Sequence, residues 1–232
     1  MDATNKRSNE DVMNIQINNQ NIPIVFSSRT NISKSASGIK KATVIFSKNE
    51  KVMDEPRGFL KYVNSQWVFY GLSQITPKAF ETLVIVLESP HKDEFSSAGV
   101  PIRPANGVTG SKINLRLDKI INNFPPNGMN KSIIYKVYLV NSIQYQTSCY
   151  QALHNYPDYN ANWHTIRNCV FKALWNNGNL GLQQDLTNRI NLINPSVIMN
   201  CVTGGKAKSG LQSLVAKVVN SNNLYPHPSA WK

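Results

Sequence analysis

The chain has 232 residues, enough for one embellished domain or two small ones, and 41% of them are hydrophobic, which excludes a chain too polar to bury a core. No apolar run approaches the length of a bilayer span, and the opening MDATNKRSNEDVMN lacks an apolar signal segment, so the expected compartment is the cytoplasm. Lys and Arg number 25 against 13 Asp and Glu, a formal net charge of +12, which points to a polyanionic partner, most simply nucleic acid, while the lack of a spanning run points to no membrane.

The charge bias is uneven. Beyond Asp118 the only carboxylate side chains are Asp158 and Asp185, against ten Lys or Arg from Lys119 to Lys232. The three cysteines, Cys149, Cys169 and Cys201, are widely spaced and form no CxxC pair. They read as free thiols, and no metal or cofactor is called for.

In chain order, residues 1–21 are polar and Asn-rich and read as an arm. Residues 22–79 read as a β-rich extension. NIPIVF and ATVIF are β-branched, and FLKYVNSQWVFYG reads as a hairpin turning at Asn64-Ser65. Its aromatics Tyr62, Trp67, Phe69 and Tyr70 read as packing under a small sheet, or as a stacking platform for DNA.

Residues 80–232 change pattern. TLVIVLESP is the continuous apolar run of a strand buried on both faces. SKINLRLDKIINNF has apolar residues at 113, 117, 120 and 121, with Ser111 as N-cap. IIYKVYLVNSI is a second buried strand. HTIRNCVFKALWNNG is a helix with 166, 169, 170, 173 and 174 on one face and Gly178 as its stop. LGLQQDLTNRINLIN is a helix with 182, 186, 190 and 193 inward, closed by Asn194-Pro195. PSVIMNCV is a third strand, GGKAKSGLQSLVAKVV a helix, and NNLYPHP a short last strand. The alternation predicts an α/β fold, a central mostly parallel sheet with helices on both faces, plus the amino-terminal β extension.

Ligands of such sheets sit beyond the carboxyl ends of the strands. Four polar stretches fall there: Glu88-Ser89-Pro90-His91, Asn141-Ser142, Thr203-Gly204-Gly205-Lys206 and His227-Pro228-Ser229. In collinear order over residues 80–232, the segments VIVLESPHKDE, PANGVTGSKINL, VYLVNSIQYQ, LINPSVIMNCVTGGKA and YPHPSAW resemble the motifs of the uracil-DNA glycosylase superfamily, closest to its thermophile-type branch. GVTGSK is not a nucleotide-triphosphate loop, because its glycines are two residues apart rather than four.

The resemblance implies excision of a flipped base by cleavage of its N-glycosidic bond. His227 matches the histidine that stabilises charge on the departing base. Glu88 matches the carboxylate of the first motif, which stabilises the cationic sugar or orients water, with Asp93 in reserve. Asn141 matches the asparagine that reads the base edge. Ser89, His91, Ala105 and Asn106 fall at base-binding positions. Gly107, Gly110, Ser111, Lys112, Gly204, Gly205, Lys206 and Ser229 are expected along the DNA backbone.

Departures from the family pattern are informative. Ala105 stands where a phenylalanine stacks on uracil, and His91 where another branch has a tyrosine. The iron–sulfur cysteines are missing. The chain ends three residues after Ser229, which leaves Trp231, or a side chain from elsewhere, to act as the wedge. The expectation is a monomeric DNA glycosylase with room for a bulky modified pyrimidine, such as glucosylated 5-hydroxymethylcytosine of phage DNA, in antiviral defence. The alternatives are repair of uracil or another deaminated base, a non-catalytic DNA-binding module on the same fold, and a hydrolase of free nucleosides.

Overall fold

The computed structural model describes residues 11–17, 20–27, 44–47, 51–96, 100–145, 163–203 and 210–232, with the first three stretches given as backbone. Three strands, β1 (Asp11–Ile17), β2 (Gln20–Ser27) and β3 (Val44–Ser47), form one sheet in that order. β1 falls inside the stretch whose composition reads as an arm. Met13, Ile15 and Ile17 alternate with Asn14 and Gln16, and this period-2 pattern pairs antiparallel with β2.

The second sheet contains β4 (Glu55–Val63), β5 (Gln66–Gly71), β6 (Glu81–Leu87), β7 (Tyr135–Asn141) and β8 (Val197–Asn200), in the order β5-β4-β7-β6-β8. β6 lies parallel to both β7 and β8, while β4 is antiparallel to β7. The sheet is therefore mixed. The 55–71 hairpin belongs to it rather than to a separate extension, because Leu60 and Trp67 bury against the same core as β6 and β7. The hairpin turns at Asn64 and Ser65, both with positive φ, as a tight two-residue turn requires. The expected last strand is reduced to one parallel bridge between Leu224 and Asn200.

Among the described residues, four helices cover the sheet: α1 (Val108–Asn123), α2 (Trp163–Trp175), α3 (Leu182–Ile193) and α4 (Leu211–Val219). The pleat decides which side chains meet which helix. Leu83, Ile85 and Leu87 share a face with Val137 and Leu139 and pack on Ile113, Leu117 and Ile121 of α1. Val84, Val86 and Val140 face the other way, onto Val170 and Phe171 of α2, Leu186 of α3 and Val215 of α4. Helices thus lie on both faces, as the alternation predicts.

Two helices differ in detail from their sequence patterns. α1 begins at Val108, so Gly107 is its N-cap and Ser111 lies inside the first turn. In α2 the deeply buried positions are 170, 171, 174 and 175, with Cys169 and Ala173 only partly covered. The inward face is rotated by about one residue, and Arg167 falls on it at three and four residues before Val170 and Phe171. Among the described residues, no helix is long and apolar enough to cross a membrane.

Candidate active site

From β6 the chain proceeds to β7 on one side, then crosses to β8 on the other. The crevice of such a sheet opens at the carboxyl ends of these strands, where the direction of winding reverses. The pleat continues past the strand ends. Glu88 prolongs the row of Val84 and Val86 toward α2. Asn141 prolongs the row of Val137 and Leu139 toward the loop that leads into α1.

Glu88 is only 6% exposed. Its carboxylate oxygen Oε1 lies 3.3 Å from Nε of Arg167. Burial raises its pKa, opposed by the Arg167 charge and by a hydrogen bond from the Thr203 side chain. Its backbone is pinned as well: the carbonyl accepts bonds from the Ser142 hydroxyl and from the Ile143 N–H at 3.2 Å. Oε2 is buried with no hydrogen-bond partner among the described residues.

Asn141, at 1% exposure, donates from Nδ2 to Oε2 of Glu94 at 3.0 Å. A carboxylate only accepts, so this contact fixes which end of the amide faces which way. The other end, Oδ1, is buried and unpaired among the described residues. Arg189 of α3 holds the strand end from behind, donating from Nη2 to the carbonyls of Asn141 (3.0 Å) and Ser142 (3.3 Å). The same guanidinium is clamped by Asp54 at 2.9 Å and Asp185 at 2.8 Å.

Glu94 is itself buried in the loop, at the end of the short helical turn Lys92–Glu94. Oε1 accepts from the His91 backbone N–H at 3.0 Å, and the carboxyl also accepts from the Ala105 backbone. Burial pushes its pKa up to about 7 against those hydrogen bonds.

His227 is half-buried. Ser229 donates to its Nδ1 from the backbone N–H at 3.3 Å, with the Ser229 hydroxyl 2.8 Å from the same nitrogen. An Nδ1 that accepts leaves the proton of the neutral ring on Nε2. Burial and the Arg167 charge bring the pKa down to about 4, so the ring is neutral at physiological pH and donates from Nε2. Arg167 thus acts electrostatically on both Glu88 and His227.

The other expected residues are placed as follows by the fold. Ser229 orients His227. Asn106 donates to the Asp93 carbonyl at 2.8 Å and accepts from Arg103 at 3.1 Å. His91 is partly exposed, with Nδ1 3.3 Å from Asp93. Ser89 is half-buried beside Glu88, and Lys112 is half-buried on α1. Ala105 is 1% exposed, has φ of +54°, and packs in the core with Leu87, Ile113 and Trp231, so the missing phenylalanine opens no cleft at that position. Trp231, 2% exposed and donating its indole N–H to the Pro226 carbonyl at 3.0 Å, is a core residue rather than a wedge. A side chain on Gly110 would meet the Ala105 carbonyl at 1.8 Å, so the close approach there is made by the chain's own backbone. Gly204, Gly205 and Lys206 lie outside the described residues.

Sequence reasoning missed Glu94 and Arg167. Nothing in KDE separates Glu94 from Asp93, because the loop alone decides which turns inward. Arg167 carried a signal: it sits on the apolar stripe of α2, where an unpaired charge is unfavourable. No family model matches the chain, and no curated protein or solved structure matches it.

Proposed function

We propose that the chain is a monofunctional DNA glycosylase of the uracil-DNA glycosylase type, with a fold to match. The observation that carries this reading is a pair of buried acceptors, Glu88 Oε2 and Asn141 Oδ1, unpaired among the described residues at two strand ends, with a neutral histidine under the same Arg167 charge as Glu88. Unpaired polar atoms at such depth cost stability and call for a ligand. A flipped pyrimidine supplies what each lacks. An N–H of the base edge donates to Asn141 Oδ1. As the bond from the sugar C1′ to N1 breaks, its electron pair leaves with the base, and His227 Nε2–H donates to the base oxygen that takes up the charge. The cationic sugar is stabilised by the Glu88 carboxylate. Water adds to C1′, and the proton it gives up passes through solvent to the departed base anion, leaving an abasic site and the neutral free base. The net charge of +12 supports a polymeric substrate over a free nucleoside.

For the base, the proposal is a pyrimidine whose edge offers an N–H to Asn141 Oδ1, with glucosylated 5-hydroxymethylcytosine and uracil as the two candidates that the test separates. Ala105 does not argue for a bulky base, since its methyl is enclosed. The test is to incubate the protein with uracil DNA and with phage DNA bearing glucosylated cytosines, scoring alkali-labile sites. His227→Ala should reduce excision about 100- to 1,000-fold, the usual cost of one such donor. Cleavage of one DNA alone identifies the base. Tight binding without cleavage of either makes the chain a DNA-binding module.

A further inference from the structure

The 55–71 hairpin and the loop before α1 enclose a second recess. This cleft, of about 700 Å³, is lined among others by Glu55, Arg57, Phe69, Leu72, Arg103 and Asn114. Strand register places it. Glu55 pairs with Leu139, two residues before Asn141, and Gly71 pairs with Gly58 near the same end of β4. The cleft therefore opens on the same sheet edge as Glu88 and Asn141. It is displaced sideways by two strands from β6, roughly 10 Å at the usual strand spacing.

Its charge is not balanced. Arg57 is held through Nε by Asn114 Oδ1 at 3.0 Å, and Arg103 through Nε by Asn106 Oδ1 at 3.1 Å. Both orienting partners are neutral amides. The carboxylate nearest to Arg57, Glu55, is 4.0 Å away. Burial and the neighbouring Arg103 both disfavour the Arg57 charge, and Glu55 offsets them only in part. Two guanidiniums lining one recess, against the single carboxylate of Glu55 that acts on both, form a site for an anion with several oxygens. Phe69 and the exposed Leu72 add an apolar wall, which bare phosphate does not use but a nucleotide does.

We propose that this cleft binds the phosphate of a nucleotide flanking the excised one in the substrate strand, with Phe69 and Leu72 against its sugar and base. Excision of the neighbouring base rests on the glycosylase reading; binding in the cleft does not. The hairpin thereby extends the strand-binding surface sideways from the crevice.

The test measures binding of a single-stranded oligonucleotide without an excisable base, between 50 and 200 mM salt. Arg103→Gln is the main variant, because Arg103 is exposed. Arg57→Gln and Leu72→Ser are companions, each checked for folding, and Lys217→Gln in the last turn of α4 is the control. Each lost phosphate contact reduces the salt slope by about 0.7, so the affinity drop over this range shrinks by about 2.6-fold per arginine. Leu72→Ser weakens binding without changing the slope. Wild-type slopes in both arginine variants overturn the proposal, even if excision proceeds normally. Reduced slopes with no excision of any DNA keep the cleft and reject the glycosylase. A third arm titrates dCMP: binding of dCMP that depends on Arg103, with the oligonucleotide slope unchanged, overturns the strand assignment in favour of a free nucleotide.

Discussion

Replacing Arg167 by leucine tests the electrostatic core of the site. The pair with Glu88 spans 3.3 Å, and both side chains are largely buried. At an effective dielectric near 20, the gross attraction is about 5 kcal/mol. Breaking such a pair by removing one partner usually costs about 3–5 kcal/mol, because the remaining charge is stranded. Glu88 escapes that cost by taking up a proton. Its pKa is already raised by burial, and loss of Arg167 raises it further. The sign follows. A carboxyl whose folded pKa exceeds its unfolded value binds extra protons in the native state, so stability is greatest at low pH and falls as pH rises through the folded value. Arg167→Leu should therefore unfold at a lower temperature at pH 8 than at pH 5. Excision at pH 7 should drop about 100- to 10,000-fold, the range for a lost acid–base group, and recover as pH rises toward 9. Thermal melts and single-turnover assays across pH 5–9 measure both. Wild-type excision with an unshifted pH profile would refute the idea that Arg167 opposes the burial-driven rise of the Glu88 pKa.

Glu94, with its pKa pushed up to about 7 by burial, should give wild-type kcat/KM a rise through that pH as the carboxylate forms and takes the Asn141 N–H; Glu94→Gln should flatten the rise. Ala105→Phe should not create a uracil pocket. It overfills the core at a residue with φ of +54°, and should cost about 2 kcal/mol, or roughly 4–8 °C in melting temperature. Gly110→Ala puts a methyl 1.8 Å from the Ala105 carbonyl and should cost about 3 kcal/mol in denaturant melts, whereas Gly178→Ala, with nothing within 4 Å, should stabilise by about 0.5 kcal/mol.

Much of the scaffold is legible before folding. TLVIVL and YKVYLVN read as buried strands because both faces are apolar, and Leu182, Leu186 and Ile190 mark the inward stripe of α3 by spacing alone. Glu88 and Asn141 stand out by their positions after apolar runs, and His227 by the likeness of YPHPSAW to a family motif. The misplacements share a cause. Ala105 and Trp231 look available because a motif alignment carries no burial. Ser229 looks like a backbone contact because a tripeptide does not say where its hydroxyl points. The 55–71 hairpin looks separate because antiparallel pairing to β7 joins residues some 80 positions apart in the chain.

The sequence by itself determined the α/β alternation, the net charge of +12 and two polar side chains at strand ends, Glu88 and Asn141, since periodicity, charge and chain order are local properties. Only the tertiary structure decided the partners of those side chains, the inward turn of Glu94, and the direction in which burial shifts each titratable group. Burial raised Glu94 and lowered His227, and one guanidinium from a helix distant in sequence came to act on both Glu88 and His227. Desolvation depends on everything packed around a group, and no stretch of residues contains that information in one dimension.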